Sequence, residues 1–299
     1  MLTRRAALAA ACSAARLRCL AQGTPGTIDL PARLNRRNQI TIPVAVNRIG
    51  PLWCLLDTGG GPNLYLSREK AAELGVTATS AGLSAGPNDP NLRTDGRAYV
   101  RLDAGGFHRL NQLCIIKPRL SDDDGILGAT AFCDSVIELD FDEPAVHLHP
   151  PAFFRYRGPG EAIPFSLWEQ NPHVDGLLTL DGREPVKARM TVDTGAGGSV
   201  LDVTPKFDAE LRRMGRGLAW RPDRYGRSTC RIARLAVGPF AMENPVVDLL
   251  PVQGFGGNAG APGFPDALLG VEFLRRYRIF LDYTKKEMTL EPGRPGQWV

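Results

Sequence analysis

LLDTGGGPNLYLS, residues 55–67, runs apolar side chains into Asp57-Thr58-Gly59, turns on further glycine and returns to apolar side chains. MTVDTGAGGSVLDV, residues 190–203, repeats the form around Asp193-Thr194-Gly195. An ionised carboxylate at the end of a buried strand is costly unless something pairs with it, so two such turns in one chain ask for a common explanation. The similarity extends outward. DGILGATAFCDSVIELDFDEPAVHLHP, from Asp124, aligns without gaps on DALLGVEFLRRYRIFLDYTKKEMTLEP, from Asp266, placing Gly128 on Gly270 and Leu139-Asp140-Phe141 on Leu281-Asp282-Tyr283. VRLDAGGF, ending at Phe107, and ARLAVGPF, ending at Phe240, keep the same order between the two matches. The chain reads as one internal duplication with a few small insertions.

Each copy predicts the same plan. A strand and turn (PVAVNRIGP; TLDGREPVK) feed the strand that carries the aspartate. A short helical stretch (SREKAAELG in the first copy), further strands, an apolar-apolar-Gly step and a closing hairpin follow. The hairpin alternates Val136, Ile137, Leu139 and Phe141 with acids, turns at Asp142-Glu143-Pro144 and resumes at Val146 and Leu148. With 33 Gly and 24 Pro in 299 residues, turns are frequent and short strands outnumber helices. The expected fold is all-β, two lobes related by a pseudo-two-fold axis with a cleft between them. Residues 27–150 form the first lobe and 161–295 the second. The Pro/Gly-rich stretch within PPAFFRYRGPG, residues 151–160, forms the linker. The second copy is expected to carry about 15 extra residues ahead of its aspartate, around WEQNPHVDG.

Residues 1–21 read as an export signal. MLTRR precedes AALAAACSAA, an uncharged run too short to span a bilayer. Thr3-Arg4-Arg5 resembles a twin-arginine signal, and cleavage after Ala21 fits the small residues there. The expected location is therefore periplasmic or secreted. The leader holds four Arg and no acid, so the remaining chain has 32 basic and 32 acidic residues and the formal +4 belongs to the leader alone. That balance gives no footing for nucleic acid, nor for a membrane surface once the signal is removed. Cys54, Cys114, Cys133 and Cys230 remain, with no Cys-x-x-Cys pair among them. They could form one or two disulfides or stay as free thiols, Cys54 being set in an apolar strand.

Two carboxylates held within a few Å cannot both ionise cheaply. They share a proton, so one serves as base and the other as acid at the same pH. Such a pair can take a proton from an attacking water and give one to the carbonyl oxygen under attack. A duplicated chain supplies the facing, equivalent positions this needs. The doubled Asp-Thr-Gly turn, each followed by an apolar-apolar-Gly step (Ile126-Leu127-Gly128; Leu268-Leu269-Gly270), resembles the aspartic peptidases. The retropepsin-like type, with its short β lobes, is nearest, and the likeness spans nearly all of residues 38–293.

The resemblance implies a catalytic pair, Asp57 and Asp193. It makes Thr58 and Thr194 the residues that bond across the axis to the opposite loop, and Gly59 and Gly195 the turns that bring backbone N–H groups to the carboxylates. Gly128 and Gly270 would pin the loops from beneath. It implies no cofactor and no metal. A peptide or protein substrate would lie extended in the cleft, and a monomer suffices because both aspartates are in one chain. The second copy has Ala196 after its triplet, as the family does, whereas the first has Gly60, a loss of packing worth about 0.5–1 kcal/mol against Ala. Flaps are expected between aspartate and Gly step, at Leu83 to Gly96 and at Arg221 to Ser228, the second with its tip at Tyr225-Gly226.

Two rival functions share this frame. One is a catalytically weak pseudoprotease that binds extended peptides or an envelope partner in the cleft. The other is a β scaffold with structural aspartates, which requires the two carboxyls to lie far apart. Asp122-Asp123-Asp124 reads as a solvated turn, since the spacing of a calcium loop is missing. His147 and His149 read as a surface pair at a strand end.

Overall fold

The computed structural model describes residues 26–81, 94–120, 123–180, 182–251 and 263–293. The leader, most of the first flap candidate, Asp122 and most of the loop FGGNAGAPGFP lie outside the described residues.

The chain is all-β. An eight-stranded sheet belongs to the first copy and a ten-stranded sheet to the second, and a six-stranded sheet is shared by both. The shared sheet runs Ile28–Pro31, Ala145–His149, Val136–Asp140, Tyr277–Asp282, Glu287–Pro292, Glu161–Pro164. That order is a palindrome of the repeat. At its centre Val136–Asp140 pairs antiparallel with Tyr277–Asp282, and Glu138 faces Phe280, its own counterpart in the alignment. The pseudo-two-fold axis therefore passes between these two residues, and the closing hairpins of the two copies bind the lobes together.

Strand formation follows from composition. Ile40–Val46 and Ile49–Asp57 form a hairpin about Asn47 and Arg48, both with positive φ. The conformation suits asparagine and lets two residues close the turn. Asn171–Thr179 and Val186–Val192 repeat this hairpin in the second lobe. The turn between Thr179 and Val186 has six residues where the first copy uses only Asn47 and Arg48, so the second copy is longer there by four residues and not by about 15. The insertion is thus a longer turn, and WEQNPHVDG belongs to the repeated pattern. The helices Arg68–Glu73 and Pro205–Arg213 start on Ser67 and Thr204, whose hydroxyls accept from Lys70 N–H and Phe207 N–H, meeting N–H groups that a helix start leaves unpaired.

The linker region is packed. Phe154 stacks on His149 and Phe280, and the Tyr156 hydroxyl donates to Glu291 Oε2 at 2.7 Å while accepting from Gly160 N–H. This cover corrects the reading of the histidines. His147 is partly exposed against Asp29, but His149 is buried, with Nε2 2.7 Å from Glu138 Oε2 and Nδ1 3.0 Å from Thr27 Oγ1. All four cysteines within the described residues are free thiols. Cys54 and Cys114 are buried in the first lobe, and Cys133 and Cys230 are partly exposed.

Candidate active site

In the first lobe the strand ending at Asp57 runs parallel to Gly125–Gly128, with Asp57 opposite Gly128. Leu64–Ser67, the far arm of the Asp loop, lies antiparallel on the other side of that same strand. The second lobe does likewise, with Val192 opposite Leu269 and Leu201 opposite Leu269 from the other side. Each apolar-apolar-Gly step is thus threaded between the arms of an Asp loop. Gly128 N–H donates to Asn63 O at 2.9 Å, and Gly270 N–H to Val200 O at 3.0 Å. A Cβ on Gly128 would fall inside the Gly61 carbonyl, and one on Gly270 against the Ser199 carbonyl, so backbone must cross backbone here and only glycine fits. Asp124 and Asp266 fix the start of each step, accepting from Trp53 N–H and Arg189 N–H at 2.9 Å each. Asp124 is therefore a structural acceptor.

Across the axis the two loops interlock. Thr58 N–H donates to Thr194 Oγ1 at 3.0 Å, and Thr194 N–H to Thr58 Oγ1 at 2.9 Å. The Thr58 hydroxyl donates to Val192 O and the Thr194 hydroxyl to Leu56 O, both at 2.6 Å. Both threonines are fully buried. Four reciprocal bonds thus hold the loops at one separation.

The glycines of the triplets are equally reciprocal. A Cβ on Gly59 would lie 2.7 Å from Asp193 Cγ, and one on Gly195 2.6 Å from Asp57 Cγ. Each glycine makes room for the opposite carboxyl. Gly59 N–H donates to Asp57 Oδ1 at 2.8 Å, while Gly195 and Ala196 N–H donate to Asp193 Oδ1 at 2.7 and 3.1 Å.

The two carboxyls thus meet at the axis, each beside the opposite loop's glycine, and each shifts the other's titration. Burial, then the charge of Asp57 and the bond shared with it, push Asp193 well above the usual carboxylate range. Burial raises Asp57 as well, opposed by the bonds it accepts from Asp193, Gly59 and Gly60. Burial raises both members, so the pair holds one proton between them and titrates as a unit. This is a coupled acid and base in contact, capable of general acid–base chemistry on a bound water. Carboxyls in contact are incompatible with the scaffold reading.

Gly60, the departure from the family pattern, has a local reason. A Cβ there would lie 2.9 Å from Asp57 Oδ2 and 3.0 Å from its Cγ, so the missing methyl leaves space for the carboxylate. The Gly60–Gly61 peptide is held at both ends. Tyr65 Oη donates to Gly60 O at 3.2 Å, and Gly61 N–H donates to Asn171 Oδ1 of the other lobe at 2.8 Å.

The second flap candidate is a hairpin, Arg221–Pro222 against Ser228–Arg231. Tyr225 stands at its tip, 70% exposed, and Gly226 takes a positive φ. Asp223 shapes the turn by accepting from the N–H groups of Tyr225 and Arg227, and the Arg227 guanidinium reaches Gly198 O on the second Asp loop at 3.4 Å. Of the first candidate, only its last residues, from Thr94, are described.

Sequence reasoning missed Gln39 and Asn171, which reach across the axis to the opposite Asp loop. Gln39 Nε2 donates to Gly195 O at 2.6 Å, and Asn171 accepts from Gly61 as above. The pairings Thr41↔Leu55 and His173↔Thr191 put the two residues at one position of the repeat. A side-chain amide two residues ahead of each of these paired positions was the available signal.

No protein-family model matches the chain, and no curated protein matches it in sequence. Among solved structures it is similar to an aspartic proteinase from Irpex lacteus, at 13% identity with a TM-score of 0.57, over 89% of this chain and 97% of that one. The fold is that of the pepsin-like aspartic proteinases, two β lobes about a cleft. The particular chain thus has a protease-like fold with an aspartate from each lobe at the axis.

Proposed function

We propose that this chain is an exported aspartic endopeptidase of the compact, retropepsin-like lobe type, with Asp57 as base and Asp193 as acid. The observation that carries the reading is the reciprocal geometry of the two carboxyls, each set against the opposite glycine, fed by backbone N–H groups and locked by the threonine exchange. Asp57 takes the proton of a water lying between the carboxyls as its oxygen attacks the peptide carbonyl. Asp193 gives its proton to the carbonyl oxygen, so the tetrahedral intermediate forms without a free oxyanion. Asp57 then gives its proton to the leaving nitrogen while a hydroxyl of the gem-diol returns a proton to Asp193, so the C–N bond breaks, the carboxylic acid and amine form, and the pair is restored. The substrate lies extended along the cleft, where its backbone can add to exposed strand edges. The apolar leader supports export, and the length of each lobe supports the compact type.

Incubation with a mixed peptide library from about pH 3 to pH 8, beside Asp193→Asn, tests this. Cleavage by the wild type alone, blocked by a statine-type inhibitor, is expected. Folded but inactive wild type at every pH would overturn the reading in favour of a peptide-binding pseudoprotease.

A further inference from the structure

The bonds that Gln39 and Asn171 send across the axis differ in where they land. Gln39 donates to the carbonyl of Gly195 at 2.6 Å. The N–H of that same peptide belongs to Ala196 and donates to Asp193 Oδ1 at 3.1 Å. The amide, the peptide and the carboxyl form one chain of donors and acceptors, Gln39 N–H to Gly195 C=O, then Ala196 N–H to Asp193. Asn171 instead meets the Gly60–Gly61 peptide on its N–H side, accepting from Gly61 N–H itself.

The amide of Gln39 is prepared for its task. The side chain is 3% exposed, and its Oε1 accepts from Asn35 Nδ2 at 2.9 Å, which fixes Nε2 toward Gly195. Asn35 Oδ1 also accepts from the N–H groups of Arg37 and Gln39, and Asn35 N–H donates to Gln39 O. Asn38, at positive φ in that turn, donates to Glu272 Oε1, and Glu272 pairs with Arg275. A turn of the first lobe is therefore docked on the second with the glutamine at its inner end.

We propose that Gln39 is a positioning residue for Asp193, ordering and polarising from the opposite lobe the peptide that donates to its carboxyl. The inference rests on the peptidase reading of the site. A carbonyl that accepts a bond makes its own N–H a stronger donor, on the order of 10–30% per bond, and a stronger donor to a carboxylate favours the ionised form. The charged groups around Asp193 are Asp57 across the axis and Asp202 on Leu201–Val203, with Asp248 and Arg227 beyond it. Those facing Gln39 are Arg37, Asp123 by way of Asn35, and Glu272 by way of Asn38.

The test compares pH–rate profiles of the wild type, Gln39→Leu, Gln39→Glu and Asn171→Ala. Gln39→Leu should lower kcat roughly 10-fold with KM nearly unchanged, and move the basic limb up by about 0.3 pH unit, because Asp193 holds its proton longer. Gln39→Glu keeps the shape. Its carboxyl can donate to Gly195 only when protonated, so activity should approach wild type at acid pH and fall more steeply as pH rises. Asn171→Ala should lower activity with both limbs in place. If Gln39→Leu does not fold, the Gln39→Glu profile decides alone. A Gln39→Glu profile parallel to wild type at all pH values would overturn the proposal. Should the wild type cleave nothing, the peptidase reading falls. The proposal is then decided on folded protein carrying 13C-carboxyl aspartate. The resonance lost in Asp193→Asn should titrate higher in Gln39→Leu, and an unmoved midpoint would overturn it.

Discussion

Thr194 and Gly60 are the residues on which the candidate site turns most sharply. The Thr194 hydroxyl accepts from Thr58 N–H and donates to Leu56 O in a fully buried place. Thr194→Val keeps the branched shape and strands both partners, each costing about 1–3 kcal/mol when buried and unpaired. We expect a loss of roughly 2–4 kcal/mol in denaturant unfolding and a larger fall in kcat than in stability, since the carboxyl separation is no longer fixed. Gly60→Ala separates two views of that glycine. On propensity alone alanine should stiffen the loop and help by about 0.5–1 kcal/mol, but its methyl would press on Asp57 at 2.9 Å. The expected outcome is a fall in kcat with little gain in melting temperature, and unchanged or improved turnover would show that the carboxylate can yield.

Among the elements, the hairpin Arg221–Arg231 offers the clearest trial. Tyr225 is exposed, with the Arg224 guanidinium 4.7 Å from its ring. Tyr225→Ala should therefore leave the melting temperature alone, surface changes being within about 0.5 kcal/mol. If the hairpin closes over substrate, it should also raise KM roughly 5-fold, near 1 kcal/mol, and an unmoved KM would reduce the hairpin to a surface loop. What could be foreseen divides along the same line. The Asp loops, the Gly steps and the closing hairpins were legible because each is a local pattern written twice. The outer strands of the shared sheet were not, for Ile28–Pro31 and Glu161–Pro164 bury one residue each, and four residues with a single apolar anchor have no period to read. Gln39 and Asn171 escaped because their partners lie in the other lobe, and His149 because the aromatic cover comes from the linker.

For the whole molecule, burial sets the acid–base balance. It holds Asp57, Asp193, Asp202, Asp248 and Asp266 above the usual carboxylate range, Asp202 at about 6. Asp103 is held low by Arg101. Asp223 is low because bonds from Arg227 outweigh its partial desolvation. A carboxyl raised in the folded state keeps a proton that the unfolded chain has already released. Its stabilisation is complete below the unfolded value near 4 and is lost as pH climbs through the folded value. The two lowered carboxyls act in the other sense, and only below about 4. Between pH 4 and pH 6 the raised group dominates, so denaturant unfolding should show stability falling over that window. Asp202 lies opposite Asp248 in a parallel pair, and this charge adds to its burial while Arg227 opposes it. Asp202→Asn should remove roughly 1–3 kcal/mol of the fall, reduced by the partial exposure of the side chain. A wild type that gains stability from pH 4 to pH 6, or an Asp202→Asn variant with the same slope, would mean that burial does not govern these groups. A chain that loses stability as its shared proton leaves would join activity and persistence in the same acid window, because both depend on carboxyls kept away from water.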